Sequence, residues 1–231
     1  MANASDLIDE AIAELEARLN LQPGEALPGD GGTKRQQVST KQKKKANKKA
    51  AAPQPAPADD NLPPICKLSF KVGVITKVWV HEKADKLYCE EIDVGEDTPR
   101  QIASGLRPHF TEEQMLGQRL LVVSNLKAKN LVGFKSHGMV LCAARTNADG
   151  TETVEFVEPP AAALVGEVVE FDGLPKPQPV APNQVEKKKL FQACTEGMKT
   201  TAEGVAAWNG HQFMTSAGPC TTKTIKEGVL R

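Results

Sequence analysis

Residues 124–139 read Ser-Asn-Leu-Lys-Ala-Lys-Asn-Leu-Val-Gly-Phe-Lys-Ser-His-Gly-Met. Lys127, Lys129 and Lys135 fall here with the donors Asn125 and Ser136 and with Gly133 and Gly138, and no acid interrupts them. An apolar run, Arg119 to Val123, leads in, and a second, Met139 to Ala144, leads out. Residues of these types have no nucleophile or base to offer. Their chemistry is recognition of anions: an ammonium group neutralises a phosphate and returns its condensed counterion to bulk. Asn125 and Ser136 either donate to phosphate and base edges or cap the stretch's own backbone. Met139, at the mouth of a strand, either packs a base or fills core. Gly133 and Gly138 fit positive φ or a close backbone approach.

A second group lies upstream. Lys83 and Lys86 sit in a short polar segment expected on the same face, with Asp85 organising it. Trp79, on an alternating strand, either stacks a base, at ~1–3 kcal/mol, or belongs to the core. Aromatic residues make up only 4% of the chain, so charge and shape rather than stacking should carry recognition, and the core should be aliphatic. His81 and His137 have no third ligand spaced to join them, so no metal site and no cofactor are expected. No nucleophile–base pair, supported carboxylate pair or Gly-rich phosphate loop occurs, which argues against an enzyme. The five cysteines are widely spaced, odd in number and without a C-x-x-C; Cys89 and Cys142, inside apolar runs, read as buried small hydrophobes. No run approaches the ~18 apolar residues of a membrane span, and the acidic N-terminus does not resemble a secretory signal. A cytoplasmic protein is the expectation.

The elements that must position these residues occupy 64–171. Leu68–Val80, Leu87–Val94, Gln101–Ser104, Arg119–Asn125 and Gly138–Ala144 read as strands, with further short ones at Val154–Val157 and Glu167–Phe171. Thr111-Glu112-Glu113-Gln114 fits a capping box that opens one helical turn, stopped by Gly117. Many short strands separated by turn signals predict a mainly β fold, a small antiparallel barrel. Gly73 suits a barrel corner or bulge.

Residues 172–231 begin with a Pro-rich connector. They continue with a helix over Gln184–Cys194 carrying Lys187-Lys188-Lys189, and a hairpin around Asn209-Gly210. This small α+β appendix is too short for a large core of its own and should pack on the barrel. Its lysine triplet either extends the cationic surface or faces solvent.

At the other end, Ile8, Ile12, Leu15 and Leu19 repeat every three to four residues over 1–20, an a/d seam. It is too short to stand alone. It predicts a short N-terminal helix that docks a partner, self-associates or lies on the chain's own body. Residues 21–63 form a linker. Lys34, Arg35, Lys41, Lys43, Lys44, Lys45, Lys48 and Lys49 follow one another there without an acid, and the segment closes in a Pro/Ala tract. The linker is expected to be disordered alone. Nucleic-acid contact is its leading reading. A solubilising linker, a nuclear import signal, lysine acetylation and membrane-surface binding share the composition. Residues 1–60 hold nine bases and nine acids, leaving twenty of each for 61–231, so net zero hides a cationic arm.

Four stretches now carry a resemblance. His81-Glu82-Lys83-Ala84-Asp85-Lys86-Leu87-Tyr88 resembles the His-Pro-x-Ala-Asp-x-Leu-Tyr motif of the structure-independent tRNA-binding domain. Leu68 to Ile75, Arg100 to Leu106 and the Ser-Asn-Leu-Lys and Ser-x-Gly-Met of 124–139 are similar to it as well. Together they identify the endothelial-monocyte-activating polypeptide II group. Its relatives include the multisynthetase-complex auxiliary protein and C-terminal extensions of some tyrosyl- and methionyl-tRNA synthetases. Glu82 stands where the family usually has Pro, and Ala128 where it often has Pro. The resemblance implies a five-stranded oligonucleotide-binding (OB) barrel with tRNA as ligand. It implies a non-catalytic auxiliary factor that captures tRNA with low sequence specificity and delivers it to an aminoacyl-tRNA synthetase held by the N-terminal helix; homodimerisation is open. A released cytokine-like form is the alternative it implies.

Overall fold

Leu120, Leu121, Val122 and Val123 are buried without exception, and their side chains alternate between two cores. Leu120 and Val122 meet Ile75, Tyr88, Ile92, Ile102 and Phe156. Leu121 and Val123 meet Phe70, Val72 and Leu141, and beyond them Met198, Phe213 and Leu230. A strand apolar on both faces belongs in the middle of a sheet. The structure, a computed structural model that describes residues 61–231, puts it there.

The strands of the first part are β1 (Phe70–Val80), β2 (Tyr88–Asp93), β3 (Arg100–Ser104), β4 (Arg119–Val123), β5 (Lys129–Leu131), β6 (Phe134–Ser136), β7 (Met139–Thr146), β8 (Glu152–Phe156) and β9 (Glu170–Phe171). A 3-10 turn, Pro64–Lys67, precedes them, and one helical turn, α1 (Glu112–Met115), carries the expected capping box between Thr111 and Gln114. The second part holds α2 (Pro182–Lys187), α3 (Leu190–Thr195), β10 (Met198–Thr200), β11 (Ala206–Trp208), β12 (His211–Thr215), β13 (Gly218–Pro219) and β14 (Val229–Leu230). The fold is mainly β, and the strand pairs are antiparallel. The sheet runs β3-β2-β1-β4-β7-β14-β10-β11-β12-β13, with β8 on β7 and β9 on β12.

The first five of these strands curl. β1 slips register against β2 between Ile75 and Lys77, and Gly73 lets the neighbours close in: a Cβ there would lie 2.9 Å from Cγ2 of Ile92. The edge of β3 is then met by the segment after β6. The His137 amide donates to the Gln101 carbonyl at 2.8 Å, and the Ala103 amide to the Ser136 hydroxyl at 3.1 Å.

The appendix is joined more closely than packing requires. β14 pairs with β7, and Cys142 and Arg231 exchange two backbone hydrogen bonds of 2.8 Å. The shared core is mostly aliphatic, as expected, around one aromatic group: Phe70, Phe171 and Phe213 meet edge to face, with centroids 4.9–5.9 Å apart. The single helix expected over Gln184–Cys194 is two, broken where Lys189 takes φ +50°. The reason is geometric. Five residues along an α-helix are about 140° apart around the axis, so Val185 and Leu190, both buried in the same core, need the break. Asn209 and Gly210 turn at φ +48° and +89°, as a type I′ hairpin demands.

The N-terminal seam of Ile8, Ile12, Leu15 and Leu19 and the basic arm from Lys34 to Lys49 lie outside the described residues. Among the described residues no helix is long and apolar enough to cross a membrane.

Candidate nucleic-acid interface

The cationic stretch is a hairpin rather than a loop. β5 and β6 pair as Lys129↔Ser136, Asn130↔Lys135 and Leu131↔Phe134, around a two-residue turn. Val132 and Gly133 in that turn have φ +52° and +95°. Gly133 is at home there; Val132 is not, because a β-branched side chain in the left-handed region is strained. The Gly133 amide donates to Oδ1 of Asn130 at 2.7 Å and holds the turn.

The polar residues of the stretch hold the hairpin's base. Asn125 is buried, and its amide is fully engaged. Oδ1 accepts from the Ser69 amide at 2.8 Å, and Nδ2 donates to the carbonyls of Lys67 and Val180, both at 3.0 Å. Ser136 is buried too: its hydroxyl accepts from the Ala103 amide and donates to the Gly138 carbonyl, both at 3.1 Å. Their donors are engaged within the fold, so of the two readings open for them the geometry favours the structural one. Gly138 sits at φ +144° with its Cα so close to β4 that a Cβ would lie 3.0 Å from the Val123 carbonyl. Arg100 ties the two ends together. Its Nη1 donates to the carbonyls of Ser124, at 2.5 Å, and His137, at 3.0 Å, while Nε and Nη2 grip Glu96 at 2.7 and 2.8 Å. Lys71 adds a 3.0 Å contact to the same carboxylate. The Arg100 guanidinium above all, with Lys71, holds the Glu96 carboxyl down to about 2.

The three lysines do not form one patch. Lys127 pairs with Glu186 of α2 at 2.6 Å. Lys129 and Lys135 are exposed, but directly opposed residues share a face and neighbours alternate. The register therefore puts Lys129 with Leu131, Phe134 and Ser136, and Lys135 with Asn130 on the other side. Met139 is half-buried against the outer core, so of its two readings core filling prevails.

The segment between β1 and β2 leans on the hairpin through His81. Its Nε2 donates to the Leu131 carbonyl at 3.2 Å, and its Nδ1 accepts from the Lys83 amide at 3.1 Å, which fixes the tautomer. His81, rather than Asp85, organises this turn. Lys83 and Lys86 project from it, both exposed. Trp79 is half-buried and outside both cores. Its ring centroid lies 6.0 Å from that of Phe134, planes crossing at 73°, and Nζ of Lys77 stands 4.9 Å over the indole. A cleft of about 280 Å³ opens between strand and hairpin, walled by Trp79, His81, Phe134 and Val132, with Glu82 and Lys83 at its rim.

Among the described residues no cluster of three or more His, Cys, Asp or Glu side chains could hold a metal ion. The five cysteines are buried and unpaired, and burial pushes the thiols of Cys142, Cys194 and Cys220 up to about 12, out of reach of thiolate chemistry.

Residues 70–168 match the family model described as “Putative tRNA binding domain”. The chain is 32% identical to the C-terminal domain of Plasmodium vivax p43 and covers the whole of that solved chain and 74% of itself, with a TM-score of 0.66. The chain belongs to this tRNA-binding-domain family. It is also 37% identical over 193 residues to the cytoplasmic methionine–tRNA ligase of Arabidopsis thaliana, which takes in 83% of this chain and 23% of the ligase. With the aminoacyl tRNA synthase complex-interacting multifunctional protein 1 of Cricetulus griseus it shares 34% identity over 205 residues, 87% of this chain and 55% of that protein. The chain thus spans about a quarter and about half of these two relatives' length.

Within this tRNA-binding-domain member, three working residues went unread in the sequence. Arg100 lies inside a stretch that carries the resemblance, but nothing local says that a guanidinium there clasps two carbonyls 24 and 37 residues away. Phe134 and Lys77 gain meaning only beside Trp79. The one local signal was a Phe flanking a two-residue turn, opposite Leu131, where an aromatic residue is well placed to pack across strands.

Proposed function

We propose that this chain is a non-catalytic tRNA-binding auxiliary, which captures tRNA with low sequence specificity and delivers it to an aminoacyl-tRNA synthetase. Membership of the tRNA-binding-domain family carries the reading. The exposed Lys83 at an aromatic cleft, with Lys86 in the same turn and Lys129 on the hairpin face of Phe134, supports it. The curl of β3-β2-β1-β4-β7 is read as the five-stranded OB barrel, and residues 172–231 as its appendix. Lys127, paired as it is, and Lys135, on the hairpin's far face, would make weaker contacts than Lys129.

The arm from Lys34 to Lys49 would supply charge without sequence discrimination, and the Ile8–Leu19 seam would hold the synthetase or a second copy of the chain. Both roles are consistent with relatives that are themselves synthetases or, by name, interact with their complex. Five unpaired cysteines fit a reducing, cytoplasmic setting.

Filter binding of total tRNA to the full chain, across a salt series, tests the reading. Binding that weakens steeply with salt is expected. No binding at low salt would overturn it.

A further inference from the structure

We propose that the cleft between β1 and the β5–β6 hairpin is a subsite for one unstacked RNA base. Trp79 and Phe134 cross at 73°, so they form a corner: a flat ring laid on one presents its edge to the other. Offset and edge-to-face contacts are the arrangements aromatic quadrupoles favour. His81 extends the corner, its ring 6.3 Å from Phe134. A volume of about 280 Å³ lies near the small end of ligand pockets, ~300 Å³ upward, and suits a single base rather than a folded helix.

Charge decides which part of a nucleotide enters. The Glu82 carboxylate at the rim repels a phosphate, while a neutral base with a donor edge can satisfy it. Lys83, beside it, and Lys129, on the same hairpin face as Phe134, are placed for the flanking phosphates. Lys77 stands 4.9 Å over the indole and is not among the residues that line the cleft, so the ring is held by a cation without the cleft being filled. Val132 adds to the case. It is 55% exposed, apolar and strained at φ +52°, in the place where a type I′ turn would take Asn. That choice costs the free protein and gives the cleft an apolar wall.

The inference rests on RNA being the ligand, and its test separates the two claims. The full chain is titrated with two RNAs of equal length: a hairpin whose loop carries 2-aminopurine at an unpaired position, and a fully paired duplex. Trp79→Ala should weaken hairpin binding roughly 5- to 150-fold, leave duplex binding unchanged, and leave the salt slope of both unchanged, because no phosphate contact is lost. Trp79→Phe should recover most of the affinity, which excludes a folding defect. In the unsubstituted chain, 2-aminopurine fluorescence should be quenched on binding. Tight hairpin binding that is indifferent to Trp79→Ala, or without quenching, overturns the subsite and spares RNA binding. Failure to bind either RNA overturns the function proposed above.

Discussion

The side-chain amide of Asn125 donates to the Val180 carbonyl, 3.0 Å away and 55 residues on. A residue whose type leaves ligand contact and backbone capping both open here holds distant segments of the chain together. Its other bonds reach Lys67 and Ser69, so it joins three segments at once. Replacing Asn125 with Ala leaves the Ser69 amide and the Val180 carbonyl buried without that partner. Each unmet group costs about 1–3 kcal/mol, so a loss of about 2–6 kcal/mol is expected in urea unfolding. The salt slope of RNA binding should not move. An intact fold with lost affinity would contradict the structural role.

Val132→Asn should act in the opposite sense. Asn tolerates the left-handed region and is the favoured residue of a type I′ turn. Relief of strain should stabilise the chain by about 1 kcal/mol, or about 2–4 °C in melting temperature at this size. An unchanged or lower melting temperature would show that Val132 is not strained as placed.

The carboxyl of Glu90, on β2, is wholly buried. Ser104 donates to one oxygen, and the other has no partner. Burial pushes it up from 4.5 to about 8. Between those values the folded chain keeps a proton that the unfolded chain releases. Stability therefore falls as pH rises through that window, by up to about 1.4 kcal/mol per unit. Below it the carboxyl is protonated in both states; above it the carboxyl is ionised in both, and the cost is constant. Glu90→Gln keeps the shape and removes the proton. Its stability gain over the parent should grow from pH 5 to pH 8 in chemical unfolding. A gain independent of pH would contradict the assignment.

Deleting residues 172–231 should not leave a stable barrel. It would bare Phe70, Val72, Leu121, Val123 and Leu141, now covered by Met198, Phe213 and Leu230. Burial of such side chains is worth about 1.5–3 kcal/mol each. Residues 64–171 alone should be aggregated or lack a cooperative thermal transition; a soluble fragment with a sharp transition would show that the appendix is dispensable.

These cases mark what the chain order reveals. Strands, the capping box and the Asn209-Gly210 turn were legible because their signals are local: period-two alternation, a three-residue spacing, a dipeptide. That Leu120–Val123 is apolar throughout hinted at a central strand, but only the appendix explains what covers its outer face. The hairpin at 129–136 hid because Val132 breaks the turn rule that would have announced it. Asn125 and Ser136 stayed open between two readings because a donor's partner is chosen by tertiary contacts, and a buried amide reads the same in sequence as an exposed one. The lysines were legible as charge, yet which face each takes depends on register, which one residue of slip would reverse.

The central claim is that exposed lysines around the cleft meet phosphate while the buried polar residues only shape the surface. The direct measurement is the salt dependence of tRNA binding by the full chain with Lys83, Lys86 and Lys129 replaced by Gln, beside the unsubstituted chain. Each lost phosphate contact removes about 0.7 from the slope on single strands and about 0.9 on duplex. The account predicts a slope shallower by about two to three, with the melting temperature unchanged. An identical slope and affinity in the triple variant would contradict it.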